Sequence, residues 1–295
     1  MPPIENTVWL EQRFRAQGYI PEPALLTSLY LQARLARPLL LEGHAGVGKT
    51  ETAKVLAQVL DTELIRLQCY EGLDANAALY EWNYQKQLLA IKLQEGDARS
   101  LADKERHIFG REYLLERPLL RAIGERDAPA VLLIDEVDRA DEEFEAFLLE
   151  LLSEYQVTIP EIGTVRASCV PHVLLTSNRT RELSDALKRR CLYHWIEYPD
   201  QEREREIIRA RIPDIPDALA RQVVGVMQSL RGLNLDKPPG VAESLDWALA
   251  LLALGKSGLD AAVLEETMGC FLKSNEDFRE LRANMEGILA TMPGA

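Results

Sequence analysis

An α/β fold, built on a parallel sheet with helices against it and continued by an all-helical C-terminal region, is what this sequence predicts, on three observations. Short apolar runs at 39–41, 130–134 and 173–175 alternate with segments of helical periodicity, the pattern of a parallel sheet buried on both faces. The first run breaks into glycines and then a Lys-Thr pair that opens an amphipathic segment. From Gln201 onward the strand-like runs stop, and helical segments are separated by Pro213, Pro216, Gly232, Pro238-Pro239-Gly240 and Gly258.

The 295 residues suit one large α/β domain with a smaller satellite, and 47% hydrophobic against 27% charged residues is the balance of an ordinary folded, soluble protein. With 34 basic against 47 acidic side chains the net charge is −13, which argues against sequence-independent duplex binding and makes nucleic acid a disfavoured partner. Cys69, Cys169, Cys191 and Cys270 lie far apart and read as reduced thiols, while His44, His107, His172 and His194 form no metal pair on one helix face. The start of the chain lacks a basic stretch followed by an apolar core, and no apolar run approaches membrane-spanning length, so no membrane span and a cytoplasmic location are expected.

Taken in order, 8–17 and 22–36 carry helical periodicity, with Gly18 and Pro21 between them. A strand at 39–41 leads through glycines into a helix that continues over 51–60, and 63–69 reads as a second strand. Tyr80, Trp82 and Tyr84 are spaced by two, as in a loop or hairpin, and are either packed or displayed to a partner. Residues 94–110 are the most charged and least periodic stretch, read as a surface insertion, and a helix is expected over 112–126. A buried strand at 130–136 precedes a helix at 142–154 with a Phe144, Phe147, Leu148, Leu151 and Leu152 stripe. A β-hairpin at 155–166, a strand at 171–178, a short helical segment over 179–190 and a strand-like 192–198 follow. Helices are expected at 202–211, 218–230, 241–254, 260–271 and 275–289, giving a domain of 1–199 and a helical domain of 200–295.

Two stretches carry chemistry. Gly43, His44, Ala45, Gly46, Val47, Gly48, Lys49 and Thr50, continued by Glu51 on the helix, fit a P-loop, in which backbone N–H groups and a helix N-terminus converge on a polyphosphate. Lys49 would reach the β- and γ-phosphates and Thr50 would hold Mg²⁺. The strand at 130–136 ends in Asp135 and Glu136, at the end of a parallel strand where ligands collect. Asp135 would bind Mg²⁺ through water and Glu136 would activate the attacking water, although acids also favour helix N-termini. Asn178, after the strand at 171–178, either contacts the γ-phosphate and that water or starts a turn.

The sequence of a P-loop, a buried strand with Asp-Glu, a hairpin, a strand ending in Asn, an Arg pair and a helical domain resembles the AAA+ ATPases over nearly the whole chain. Ile134-Asp135-Glu136-Val137-Asp138-Arg139-Ala140, the hairpin and the helical end look like the MoxR family. The Tyr80-Glu81-Trp82-Asn83-Tyr84 stretch is similar to the MoxR-type accessory ATPases of carbon monoxide dehydrogenase and related molybdenum hydroxylases. The resemblance implies a P-loop AAA+ core with a parallel five-stranded sheet flanked by helices and a C-terminal all-α lid domain. It implies ATP and Mg²⁺ as cofactors, 43–50 as Walker A, Asp135 and Glu136 as Walker B, and Asn178 as sensor 1. Arg190 falls where the family places an arginine finger that enters a neighbouring subunit's site; Arg189 is the alternative, and both also suit a solvated helix end.

Family properties further imply self-association into a ring, expected to be a hexamer, and a chaperone-like role on a client protein, with a von Willebrand factor A domain protein as partner. A nucleic-acid motor or loader, and a nucleotide-dependent scaffold with slow hydrolysis, are the alternatives. One element departs: Val241-Ala242-Glu243-Ser244-Leu245-Asp246-Trp247-Ala248 contains no sensor 2 arginine, so either a cation such as Arg231 or Lys237 substitutes or the lid senses nucleotide less directly.

Overall fold

The computed structural model describes residues 4–93 and 107–290. Among the described residues nine strands run in chain order: β1 (Leu39–Gly43), β2 (Leu64–Gln68), β3 (Tyr80–Trp82), β4 (Leu114–Glu116), β5 (Val131–Asp135), β6 (Gln156–Ile159), β7 (Gly163–Arg166), β8 (His172–Ser177) and β9 (Leu192–Ile196). Five form a parallel sheet in the order β2-β5-β8-β1-β9. In register, Gln68 stands beside Asp135 and Glu42 beside Ser177, so the polar ends of four strands share one edge of the sheet. The strands β1 and β5 are buried at every position, as near-continuous apolar runs in a two-sided parallel sheet must be.

The chain divides into two compact units. The first comprises 1–6, 27–42 and 56–194 and holds most of the sheet; its core packs Leu132, Ile134, Val173 and Leu175 against Phe144, Leu148 and Leu151 of the helix Glu142–Glu154. The second comprises 7–26, 43–55 and 195–295, and its core gathers Val223, Met227, Trp247, Leu251, Leu264, Phe271 and Leu281. Trp247 is fully buried and its indole N–H donates to Thr267 Oγ1 at 2.9 Å, which satisfies the polar end of an otherwise apolar side chain.

The helix expected over 112–126 is not present. Residues Arg111–Tyr113 form a 3₁₀ turn, 114–116 form β4, and only Pro118–Ile123 is α-helical. Pro118 explains this: it has no N–H to donate and disfavours helical backbone at the residue before it, so it begins a helix instead of continuing one. The segment over 179–190 is likewise helical only at Asp185–Arg190, where Ser184 Oγ caps the start by accepting from Leu187 N. The spacing of Tyr80 and Trp82 belongs to β3, which pairs antiparallel with β4; Trp82 is packed edge-on to Phe109, whereas Tyr84 is exposed. Of the charged stretch expected at 94–110, residues 94–106 lie outside the described residues. Among the described residues no helix is long and apolar enough to cross a membrane.

Candidate functional site

In the second unit the loop 43–48 turns from β1 into the helix Lys49–Leu60. Gly46 has φ +74°, a left-handed conformation that costs other residues about 1 kcal/mol or more. A Cβ there would also lie 2.8 Å from Glu243 Oε2 and 3.1 Å from Gly240 Cα, while a Cβ on Gly240 would lie 2.6 Å from Ala45 O. The loop thus packs against the start of the helix Val241–Ala253 at a distance only two glycines permit, and Ala242 N donates to Gly46 O at 3.1 Å.

Lys49, 7% exposed, donates from Nζ to Gly43 O at 2.7 Å and His44 O at 2.6 Å, so the loop's own carbonyls hold the ammonium at the mouth of the turn. Thr50 follows it in the helix. Glu51 is paired with Arg211 and Lys54; burial works against its ionisation, but these two cations outweigh burial and hold its carboxyl below the usual range. His44 has a role that the sequence reading gave only to its backbone. Its ring stacks on Tyr198, with centroids 4.7 Å apart and planes 10° from parallel. Beside the loop is a cavity of about 470 Å³ lined by Tyr19, Ile20, Val47, Gly48, Leu245 and Leu249, with Glu51, Arg211 and Asp246 on its polar side.

Arg231, one of the two cations offered in place of a sensor 2 arginine, is committed elsewhere. Only 7% exposed, it pairs with the fully buried Glu204 through two contacts of 2.7 Å and donates to Pro239 O at 2.8 Å. It also lies over the Tyr198 ring, 4.7 Å from its centroid.

In the first unit, β5 delivers Asp135 to the sheet edge. Its Oδ1 accepts from Thr176 Oγ1 at 2.6 Å, and its Oδ2 accepts from Arg66 Nε at 3.0 Å and Nη2 at 2.6 Å. Thr176 in turn accepts from Glu136 N at 2.9 Å. Glu136 occupies left-handed backbone, φ 54° and ψ 49°, an unusual conformation for a residue with a side chain and one often retained at functional positions. Its carboxylate accepts from Gln68 Nε2 at 3.1 Å and pairs with Arg139 at 2.8 Å. Asn178 is brought to this end of the sheet by Asp138, a 2% exposed side chain whose Oδ2 accepts from Asn178 N, Thr180 N and Thr180 Oγ1. The adjacent loop is tied down again where Arg181 pairs with the buried Glu145.

Arg190 is not drawn into this cluster. Its Nε donates to Ser153 Oγ at 2.8 Å, on the helix Glu142–Glu154, and Arg37 caps the end of its own helix by donating to Arg189 O and Arg190 O. The Arg189 side chain is exposed and has no partner among the described residues. Arg66, Gln68 and Tyr19 escape the sequence reading, which includes Asp138 only as part of the motif 134–140. For Arg66 and Gln68 a signal existed: two polar residues alternate along an otherwise apolar strand.

A family model described as AAA domain (dynein-related subfamily) matches residues 38–191. The gas vesicle ATPase GvpN of Haloferax mediterranei is 26% identical over 308 residues, covering 98% of this chain and 85% of that protein. An uncharacterized protein of Staphylococcus aureus strain NCTC 8325 is 26% identical over 227 residues, covering 75% of this chain and 77% of its own. Among solved structures, the Thermotoga maritima RuvB Holliday junction branch migration motor aligns with a TM-score of 0.50 and 17% identity, over 94% of this chain and 80% of that one, a likeness of fold.

Proposed function

Because this chain belongs to the AAA domain family, dynein-related subfamily, and is an ATPase, we propose that it is a Mg²⁺-dependent, MoxR-type ATPase that works as a hexameric ring and couples hydrolysis to the remodelling of a client protein. The observation that carries this reading is the loop 43–48, folded with Lys49 at its mouth beside a cavity of about 470 Å³. Its apolar walls, Tyr19, Ile20, Val47 and Leu245, suit a purine base, and the loop suits the phosphates that follow it.

In this reading Lys49 exchanges Gly43 O and His44 O for phosphate oxygens. By their motifs Thr50 and, through water, Asp135 are the residues that would hold Mg²⁺, which would supply charge compensation on the phosphates. Both are hard oxygen donors of the kind that cation takes. Glu136 accepts a proton from the attacking water, Asn178 orients that water, and Arg190 of a neighbouring subunit neutralises charge developing on the γ-phosphate.

Maturation or metal-cofactor insertion, with a carbon monoxide dehydrogenase or related molybdenum hydroxylase as client and a von Willebrand factor A domain protein as partner, is the proposed setting. Tyr84, Leu88, Leu89 and Leu93 support client handling, since this helix leaves them between 58% and 77% exposed. The four cysteines, all unpaired, accord with the cytoplasm.

Phosphate release and nucleotide binding by Glu136→Gln test the chemistry: ATP binding is retained and turnover nearly abolished, and unchanged turnover overturns the assignment. Sedimentation with ATP tests the ring. A strictly monomeric preparation with full activity contradicts a site completed by a neighbour.

A further inference from the structure

Asp135 shares its carboxylate with a cation that the reading above does not use. Arg66 sits on β2, the edge strand paired in register with β5, and its guanidinium places Nε and Nη2 on the single oxygen Oδ2, at 3.0 and 2.6 Å. Oδ1 is meanwhile taken by the Thr176 hydroxyl at 2.6 Å. The same guanidinium also donates to Gln68 Oε1, and Gln68 Nε2 donates onward to Glu136 Oε2. One arginine therefore binds the first acid directly and the second through a single amide. Asp135 is 2% exposed and Arg66 is 48% exposed, so the acid is fixed and the cation is the member that can swing away into water.

We propose that Arg66 is a positioning residue that competes with the divalent cation for Asp135, so that metal loading requires Arg66 to leave Oδ2. This rests on the nucleotide-site reading given above. The physical ground is simple. A hydrated divalent ion needs acceptor lone pairs on the carboxylate and a negative local charge, and Arg66 removes both by covering Oδ2 and neutralising the acid. The pair joins a buried acid to a half-exposed cation, so the Arg66 charge acts directly on the carboxylate that would take the metal.

The experiment is Mn²⁺ binding to the full chain with a non-hydrolysable ATP analogue, followed by electron paramagnetic resonance, for the wild type, Arg66→Gln and Arg66→Lys. Analogue binding is measured separately in EDTA. Arg66→Gln tightens Mn²⁺ binding by about three- to ten-fold, in keeping with a half-exposed cation near a divalent ion. Arg66→Lys, which keeps the charge but loses the two-donor grip on Oδ2, tightens Mn²⁺ binding less than Arg66→Gln does. Unchanged or weaker Mn²⁺ binding by Arg66→Gln, with analogue binding intact, overturns the role given to Arg66. Absence of analogue binding by the wild type overturns the nucleotide-site reading, and this inference with it.

Discussion

Gln68 Nε2 donates to Glu136 Oε2 at 3.1 Å, so the acid proposed to activate water is held by a side chain of the neighbouring edge strand. A base must stand within hydrogen-bond reach of the proton it removes, and a displaced carboxylate loses much of its effect. Gln68→Ala is therefore expected to lower kcat by about ten-fold while ATP binding stays within about two-fold. Phosphate release and equilibrium nucleotide binding separate the two quantities, and an equal loss in both contradicts a role confined to Glu136.

Asp138 gives a second prediction. One of its oxygens accepts three hydrogen bonds from Asn178 and Thr180, and the side chain is buried. Asp138→Ala leaves two part-buried N–H groups and the Thr180 hydroxyl without their shared acceptor, a loss of about 1–2 kcal/mol, and releases the loop that carries Asn178. Thermal unfolding should show the lost stability and phosphate release a fall in turnover; a variant of full stability and activity contradicts the bracing role.

The pair Arg231–Glu204 gives a third. Both groups are buried, so removing one leaves an uncompensated charge, and Glu204→Ala is expected to cost about 3–5 kcal/mol. Replacing both by apolar residues of similar volume, as in Glu204→Leu with Arg231→Met, should recover most of the loss. Urea unfolding of the single and double variants measures this.

His172 sets an acid limit on the fold. Burial pushes its imidazole down to about 4 from an ordinary 6.5. The unfolded chain therefore takes up a proton between those values that the folded chain refuses. Stability from this site is complete above pH 6.5 and lost as pH falls through 4, by about 3 kcal/mol. Urea unfolding across this range should be less pH-dependent in His172→Gln; an unchanged slope contradicts the assignment.

Much of this architecture is legible in the residues themselves. The apolar runs ending in Gly43, Asp135 and Ser177 announce buried parallel strands, because only strands covered on both faces dispense with alternation. The P-loop is legible because glycine spacing and backbone geometry are one constraint. Pro118 was a visible break within the helix expected at 112–126, and local periodicity outweighed it there. Alternation marks Arg66 and Gln68 as polar positions on a strand, but what they meet is not legible. Arg66 and Gln68 meet Asp135 and Glu136 only because β2 lies beside β5, a relation set by sheet order and not by anything near either residue in the chain. The commitment of Arg231 to Glu204, and of Arg190 to Ser153, depends likewise on which helix lies alongside.

Gly46 and Gly240 face each other at a separation that a single methyl group on either would violate. Their tolerance to change is therefore a joint property. In a library of random variants these two positions should both be cold, and a second change at one cannot rescue a first at the other, because each added carbon narrows the same gap. The loop 43–48 and the first turn of a helix far along the chain thus constrain each other's evolution, and grafting either from a relative means grafting both.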